Sequence, residues 1–94
     1  MADVHLPATL PPLFEGLPRR LELEAADVEE AIERLDERWP GLRERVCEPA
    51  GDGSGASMLR PHIRAFVDGE RAELATPLAA GSRLDVIAAI SGGG

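Results

Sequence analysis

The sequence contains no lysine, and all ten of its basic residues are arginine. No side chain can therefore accept an isopeptide bond from another copy; only the N-terminal amine remains. There is a single cysteine, Cys47, so no disulfide can close within the chain, and a reducing cytoplasmic setting fits. The opening Met1-Ala2-Asp3-Val4-His5 has no basic stretch leading into an apolar core, which speaks against a secretory signal. No apolar run reaches the ~20 residues that a membrane helix needs. A basic patch is missing too: 17 acidic residues against 10 basic ones give a net charge of −7. Nucleic acid is a poor partner for such a chain. The acidic balance keeps a small protein soluble, and it also suits a partner with a basic groove.

What is present makes one domain. A chain of 94 residues buries a modest core and has little room for a deep catalytic cleft. Val4 to Leu6 reads as a first strand. A loop punctuated by Pro7, Pro11, Pro12, Gly16 and Pro18 follows. Arg20 to Glu24 alternates strictly and predicts a half-buried second strand. Asp27 followed by Glu30 is a capping box. Val28, Ala31, Ile32, Leu35 and Trp39 then recur at helical spacing, so this segment is an amphipathic helix. Pro40-Gly41 ends it, and Leu42 to Val46 forms a short helical turn.

Glu48 to Ser57 carries Pro49, Gly51, Gly53 and Gly55 and reads as one loop, the mobile segment of the domain. His62 to Val67 and Glu70 to Leu74 predict two strands joined by a tight Asp68-Gly69 turn. Thr76-Pro77-Leu78 reads as a turn crossing the end of the sheet. Arg83 to Ile90 is the last strand and the most apolar run. The order is strand, strand, helix, strand, strand, strand. It predicts an α+β fold: a mixed sheet of about five strands packed on one main helix; the pattern alone does not place the last strand. Residues 1–90 form the domain, and 91–94 are a flexible tail.

Few side chains invite a chemical role. Cys47 stands in no recognisable motif and reads as a packing residue. His5 and His62 show no metal-ligand spacing and read as surface groups on strands. Glu29, Glu30, Glu33, Asp36 and Glu37 interleave with Arg34 and Arg38, which predicts a solvated helix face laced by i,i+4 pairs. No catalytic constellation and no metal site emerge, so the chain is not expected to be an enzyme. Alternation puts Ile63, Ala65 and Val67 on one face of their strand and His62, Arg64 and Phe66 on the other. By the same count Ile87 joins Phe66. The pair is a candidate docking patch on the open face of the sheet.

The chemistry gathers at the C-terminus, where Ser91-Gly92-Gly93-Gly94 follows the last strand. Those four residues extend about 13 to 14 Å at most. Glycine lets an enzyme enclose the backbone in a narrow channel and leaves the terminal carboxylate unhindered.

Arg83-Leu84-Asp85-Val86-Ile87-Ala88-Ala89-Ile90-Ser91-Gly92-Gly93 resembles the C-terminal signature of the MoaD/ThiS sulfur carriers. His62 to Glu70 is similar to the family's hairpin, and Thr76-Pro77-Leu78 followed by Gly81 fits its pattern. The helix-to-hairpin segment is similar in length to that of the actinobacterial cysteine-synthesis carriers. The resemblance implies a β-grasp, ubiquitin-like fold and a protein cosubstrate. An E1-like enzyme would use ATP to adenylate the terminal carboxylate. A sulfur donor would convert it to a thiocarboxylate, and an acceptor enzyme would take the sulfur. Gly94 is then the attachment site, Gly92 and Gly93 occupy the partner's channel, and Phe66 and Ile87 dock it. The carrier binds no cofactor, since ATP belongs to the activating partner, and it is expected to be a monomer when free. Family members commonly end at the residue matching Gly93. Gly94 is thus the acyl group of a longer tail, a residue trimmed before activation, or an addition from cloning. The receiving pathway (cysteine, molybdopterin, thiazole or a specialised metabolite) is not legible in the chain. The alternative is an interaction module or small subunit with an inert tail.

Overall fold

The structure, a computed structural model, describes residues 1–88. The expected end of the last strand at Ile90 and the tail glycines Gly92, Gly93 and Gly94 lie outside the described residues. In chain order the elements are β1 (Ala2–His5), β2 (Arg20–Leu23), α1 (Val28–Arg38), α2 (Leu42–Val46), β3 (Cys47–Pro49), β4 (Ser57–Leu59), β5 (Ile63–Val67), β6 (Glu70–Ala72) and β7 (Arg83–Ala88).

Five strands make one mixed sheet in the order β2-β1-β7-β5-β6. β1 and β7 run parallel, with Val4 opposite Leu84. The other pairings are antiparallel. The first and last strands therefore meet near the middle of the sheet. This is the β-grasp arrangement. Alternation fixes which side is buried: Val4 and Leu84 are wholly enclosed, and Ile63, Ala65 and Val86 are nearly so. They pack on the stripe Val28, Ala31, Ile32 and Leu35 of α1. Burying large apolar side chains of this kind stabilises a fold by about 1.5–3 kcal/mol each.

The start of α1 is held from three directions. The Asp27 carboxylate accepts from the Glu30 N–H at 2.8 Å. Glu30 reaches back and accepts from the Ala26 N–H at 2.8 Å, one residue before the cap. The Thr76-Pro77-Leu78 turn supplies the rest. Thr76 O accepts from the Val28 N–H, Leu74 O accepts from the Glu29 N–H, and the Leu78 N–H donates to Ala26 O. Helix N–H groups left without intrahelical partners are thus satisfied by the segment that leads into β7. Between β5 and β6, Asp68 (φ 51°) and Gly69 (φ 87°) form the expected tight turn. Positive φ at both central residues matches the twist of the strands they join.

The structure corrects several boundaries. β1 covers Ala2–His5, not Val4 to Leu6, and β2 stops at Leu23 rather than Glu24. β5 begins at Ile63, not His62. β6 ends at Ala72 rather than Leu74 because Glu73 turns to the next loop. Its N–H donates to Thr76 Oγ1, and its carbonyl accepts from the Thr76 N–H. The single loop expected over Glu48 to Ser57 is instead a small second sheet. β3 and β4 pair antiparallel, with Glu48 opposite Met58, and only residues 50–56 remain as the loop. Strands this short carry no readable period, and the glycines and Pro49 mask them. Within the proline-rich loop, Pro11–Leu13 forms a 3-10 turn.

The expected lacing of α1 by i,i+4 pairs is also corrected. Among the described residues its one internal ion pair is Arg34–Glu37 at i,i+3. Glu29 reaches Arg43 of α2, and Asp36 accepts from the N–H groups of Gly41 and Arg43. Arg38 lies over the Trp39 ring, 4.6 Å from its centroid. Glu29 and Asp36 thus join α1 to the next element, while Glu33, Arg34, Glu37 and Arg38 stay exposed on a solvated face. No helix among the described residues is long and apolar enough to cross a membrane.

Leu84→Ala should destabilise the fold by about 2–5 kcal/mol, because it opens a cavity between β7 and α1. Asp27→Ala should cost about 1 kcal/mol through the lost cap. Urea titration of the two variants against the parent checks both, and equal midpoints would contradict the central placing of β7.

Candidate functional site

The described part of the site is the open face of the sheet around β7, the strand that leads to residues 89–94. Five strands in register lay out a row across this face. Arg20 stands opposite His5, His5 beside Asp85, Asp85 opposite Phe66, and Phe66 opposite Arg71. A neighbouring line holds Glu22, Asp3 and Arg83. On the other side of the row, Ile87 faces Arg64.

Phe66 and Ile87 are therefore diagonal neighbours on adjacent strands, within reach of a shared apolar contact. The expected alternation holds: Ile63, Ala65, Leu84 and Val86 face the core. Phe66 is half-buried, and Ile87 is 46% exposed. Sequence alternation could place them on one face, but only the β5–β7 register brings them together. Whether a partner docks there is a separate matter, taken up below.

Ion pairs order much of the face. Asp3 accepts from Arg20 Nε and Nη2, both at 3.1 Å. His5 Nε2 lies 3.1 Å from Asp3 Oδ2. The contact with His5, and after it the one with Arg20, holds the Asp3 carboxyl below its ordinary range. Arg83 grips Asp85 through Nε at 2.9 Å and Nη2 at 3.0 Å. The Asp85 carboxylate in turn raises the Arg83 guanidinium. His5 is thus an element of a surface network rather than an isolated strand group. His62 sits exposed just before β5. Among the described residues no cluster of three His, Cys, Asp or Glu is placed to hold a metal.

Cys47 packs in the core at 5% exposure, where α2 gives way to β3. Burial pushes its thiol up from the usual range. A protonated, enclosed sulfur is a poor nucleophile, in keeping with its reading as a packing residue. The tail glycines Gly92, Gly93 and Gly94 fall outside the described residues, so the face and the exit strand are what the structure adds. It also adds a feature the sequence did not suggest. A groove of about 870 Å³ opens where β7 ends, lined by Leu10, Leu13, Phe14, Pro40 and His62 with Ala88 at its edge. Leu13 is 51% exposed there on the 3-10 turn. Prolines around this segment marked it only as loop.

The ThiS family model matches residues 4–93. The chain belongs to the ThiS family. Solved structures bear out the fold. A chain of the Amycolatopsis orientalis BexX/CysO complex superposes with a TM-score of 0.80 at 21% identity, covering 97% of this chain and 98% of that one. Mycobacterium tuberculosis CysO, described as an antigen, gives 0.78 at 22% identity, with 96% and 100% covered. Small archaeal modifier protein 1 from Haloferax volcanii gives 0.69 at 29% identity, covering 96% of each. No curated protein sequence matches the chain. The ThiS match runs from the middle of β1 through every later element and on to Gly92 and Gly93.

Two measurements probe this site. Cys47 should react with a maleimide far more slowly in the native protein than in urea; equal rates would mean that the thiol is exposed. For Asp3 the lowered carboxyl contributes stability above the ordinary value of 3.8, and that contribution is lost as pH falls through the lower folded value. Urea midpoints of Asp3→Asn and the parent should therefore converge as acid is added below about pH 4.

Proposed function

We propose that this ThiS-family protein is a sulfur carrier whose C-terminal glycine is the reactive group. One observation carries the role: the family match runs to residue 93, through the paired glycines Gly92 and Gly93. The fold supports it. β7 lies between β1 and β5, so the segment beyond it starts from a rigid position, and an enzyme can pull on it without loosening an edge.

The chemistry belongs to the chain's own terminus. A carboxylate oxygen of Gly94 attacks the α-phosphorus of ATP, and pyrophosphate leaves. Hydrosulfide then adds to the acyl carbon, AMP leaves, and a thiocarboxylate remains with release of a proton. ATP is the partner's substrate, and the carrier binds no cofactor. An E1-like adenylating enzyme is the activating partner, docked on Phe66 and Ile87, with Gly92 and Gly93 threaded through its channel. A sulfur-acceptor enzyme completes the cycle. The carrier is cytoplasmic and contributes no acid or base of its own. Removal of Gly94, leaving Gly93 as the acyl residue, is the variant of this scheme closest to the usual family ending.

A second role is favoured by the likeness to small archaeal modifier protein 1: amide attachment of the tail to another protein. This chain has no lysine, so the amine would have to come from elsewhere. Intact mass after incubation with ATP, an E1-like enzyme and sulfide separates the two. A carrier gains about 16 Da as oxygen is exchanged for sulfur, whereas a modifier appears at the summed mass of two proteins. No change with a competent enzyme points to an inert tail.

An alanine added after Gly94 should abolish loading while leaving the urea midpoint unchanged. Loading of that extended chain without trimming would rule out the terminal glycine as the acyl group.

A further inference from the structure

The net charge of −7 suggests a basic partner, but the charge is unevenly spread. α1 carries Glu29, Glu30, Glu33, Asp36 and Glu37 against Arg34 and Arg38. The open sheet face carries Arg20, Arg64, Arg71 and Arg83 against Asp3, Glu22 and Asp85. Two of those arginines are neutralised in place, Arg20 by Asp3 and Arg83 by Asp85. Among the described residues, neither Arg64 nor Arg71 pairs with a carboxylate.

Both free cations border the apolar pair. Arg71 stands directly opposite Phe66 on the edge strand β6 and is exposed. Arg64 precedes Phe66 by two positions on β5 and faces Ile87 on β7. Arg64 Nη1 donates to the carbonyls of Pro61 and Ile63, which fixes the guanidinium near the start of β5 without cancelling its charge. Glu22 lies at the opposite edge on β2; on this side Glu73 lines a cavity with Arg64 and Arg71 but, among the described residues, forms an ion pair with neither. The face is therefore polar from side to side, with Phe66 and Ile87 in its positive half.

We propose that this face fits a partner surface with an apolar centre rimmed by carboxylates, and that Arg64 and Arg71 are the specificity-determining contacts. The proposal deepens the docking role given above to Phe66 and Ile87 and rests on it. The two cations lie in different directions from Phe66. The Arg71 Cα is about 4.5–5.5 Å from that of Phe66 across the strands, and the Arg64 Cα is about 7 Å away along β5. One carboxylate meeting each fixes rotation about the Phe66 anchor, and with it the direction in which the strand end points. A basic groove, which the total charge favours, would meet two unneutralised arginines here and be repelled. Rim charges of this kind act mainly on association rate and orientation.

The test follows association of the E1-like enzyme that loads the parent chain, at low salt and at about 1 M salt, where the Debye length shrinks to about 3 Å. Arg64→Glu and Arg71→Glu should each slow association about tenfold at low salt. The difference should vanish at high salt. Arg71→Lys should stay near the parent, and Arg71→Ala should fall between the parent and the reversal. Arg34→Glu, on α1 where Arg34 pairs with Glu37, changes net charge equally and should have little effect. Urea midpoints confirm that each variant is folded. Equal slowing by Arg34→Glu and Arg71→Glu would reduce the effect to total charge and overturn the proposal. So would a faster reaction, or an unchanged one, on reversal. If Phe66→Ala and Ile87→Ala also leave association and loading unaltered, it is the docking role itself that fails. Loss of binding in those two variants with no response to Arg64 or Arg71 overturns the charge rim alone.

Discussion

The parallel contact between β1 and β7 is the constraint on which the rest of this structure depends. Val4 and Leu84 face each other there, and neither is exposed to solvent. A hairpin cannot make this pairing, because parallel neighbours need a long crossover. Nearly the whole chain serves as that crossover. α1 covers one side of the sheet, and the turn before β7 supplies carbonyls to the first N–H groups of α1. Helix cap and the turn into the central strand therefore share hydrogen bonds.

That constraint also explains how the two faces differ. The inner face is apolar because α1 must pack on it. The outer face is free of packing duty, so its side chains can be charged and paired across strands. Asp3 is at its centre, joining residues from β1 and β2. Arg83 and Asp85 form a separate clasp along β7. Among the described residues Arg64 and Arg71, beside Phe66 and Ile87, form no ion pair.

Much of the architecture was legible in the residues. The stripe Val28-Ala31-Ile32-Leu35 and the Asp27 cap marked α1, and Asp68-Gly69 marked the hairpin of β5 and β6. The element order was enough for a mixed sheet on one helix; the central place of the last strand follows from the β-grasp resemblance, not from the order. The β3–β4 pair was not legible, because strands of three residues show no period and their loop is dense in glycine. The roles of the helix carboxylates were not legible either. Spacing along one helix says nothing of Arg43 in the next, or of N–H groups waiting at Gly41. On the open face, alternation assigned sides correctly, but pairings such as Asp3 with Arg20 depend on register, which a list of residues does not contain. The spread of cations over the open face was not legible for the same reason: a net charge carries no position.

The parallel run of β1 and β7 has a practical side. Asp3 is level with Arg83 at the beginning of β7, so the N-terminus emerges at the end of the sheet remote from Ala88. The length of β7 separates Arg83 from Ala88 by roughly 17 Å. Affinity handles, fluorophores or surface tethers belong on the N-terminal end. An immobilised protein would then present the Ala88 end of the sheet outward, in one orientation, to any enzyme passed over it.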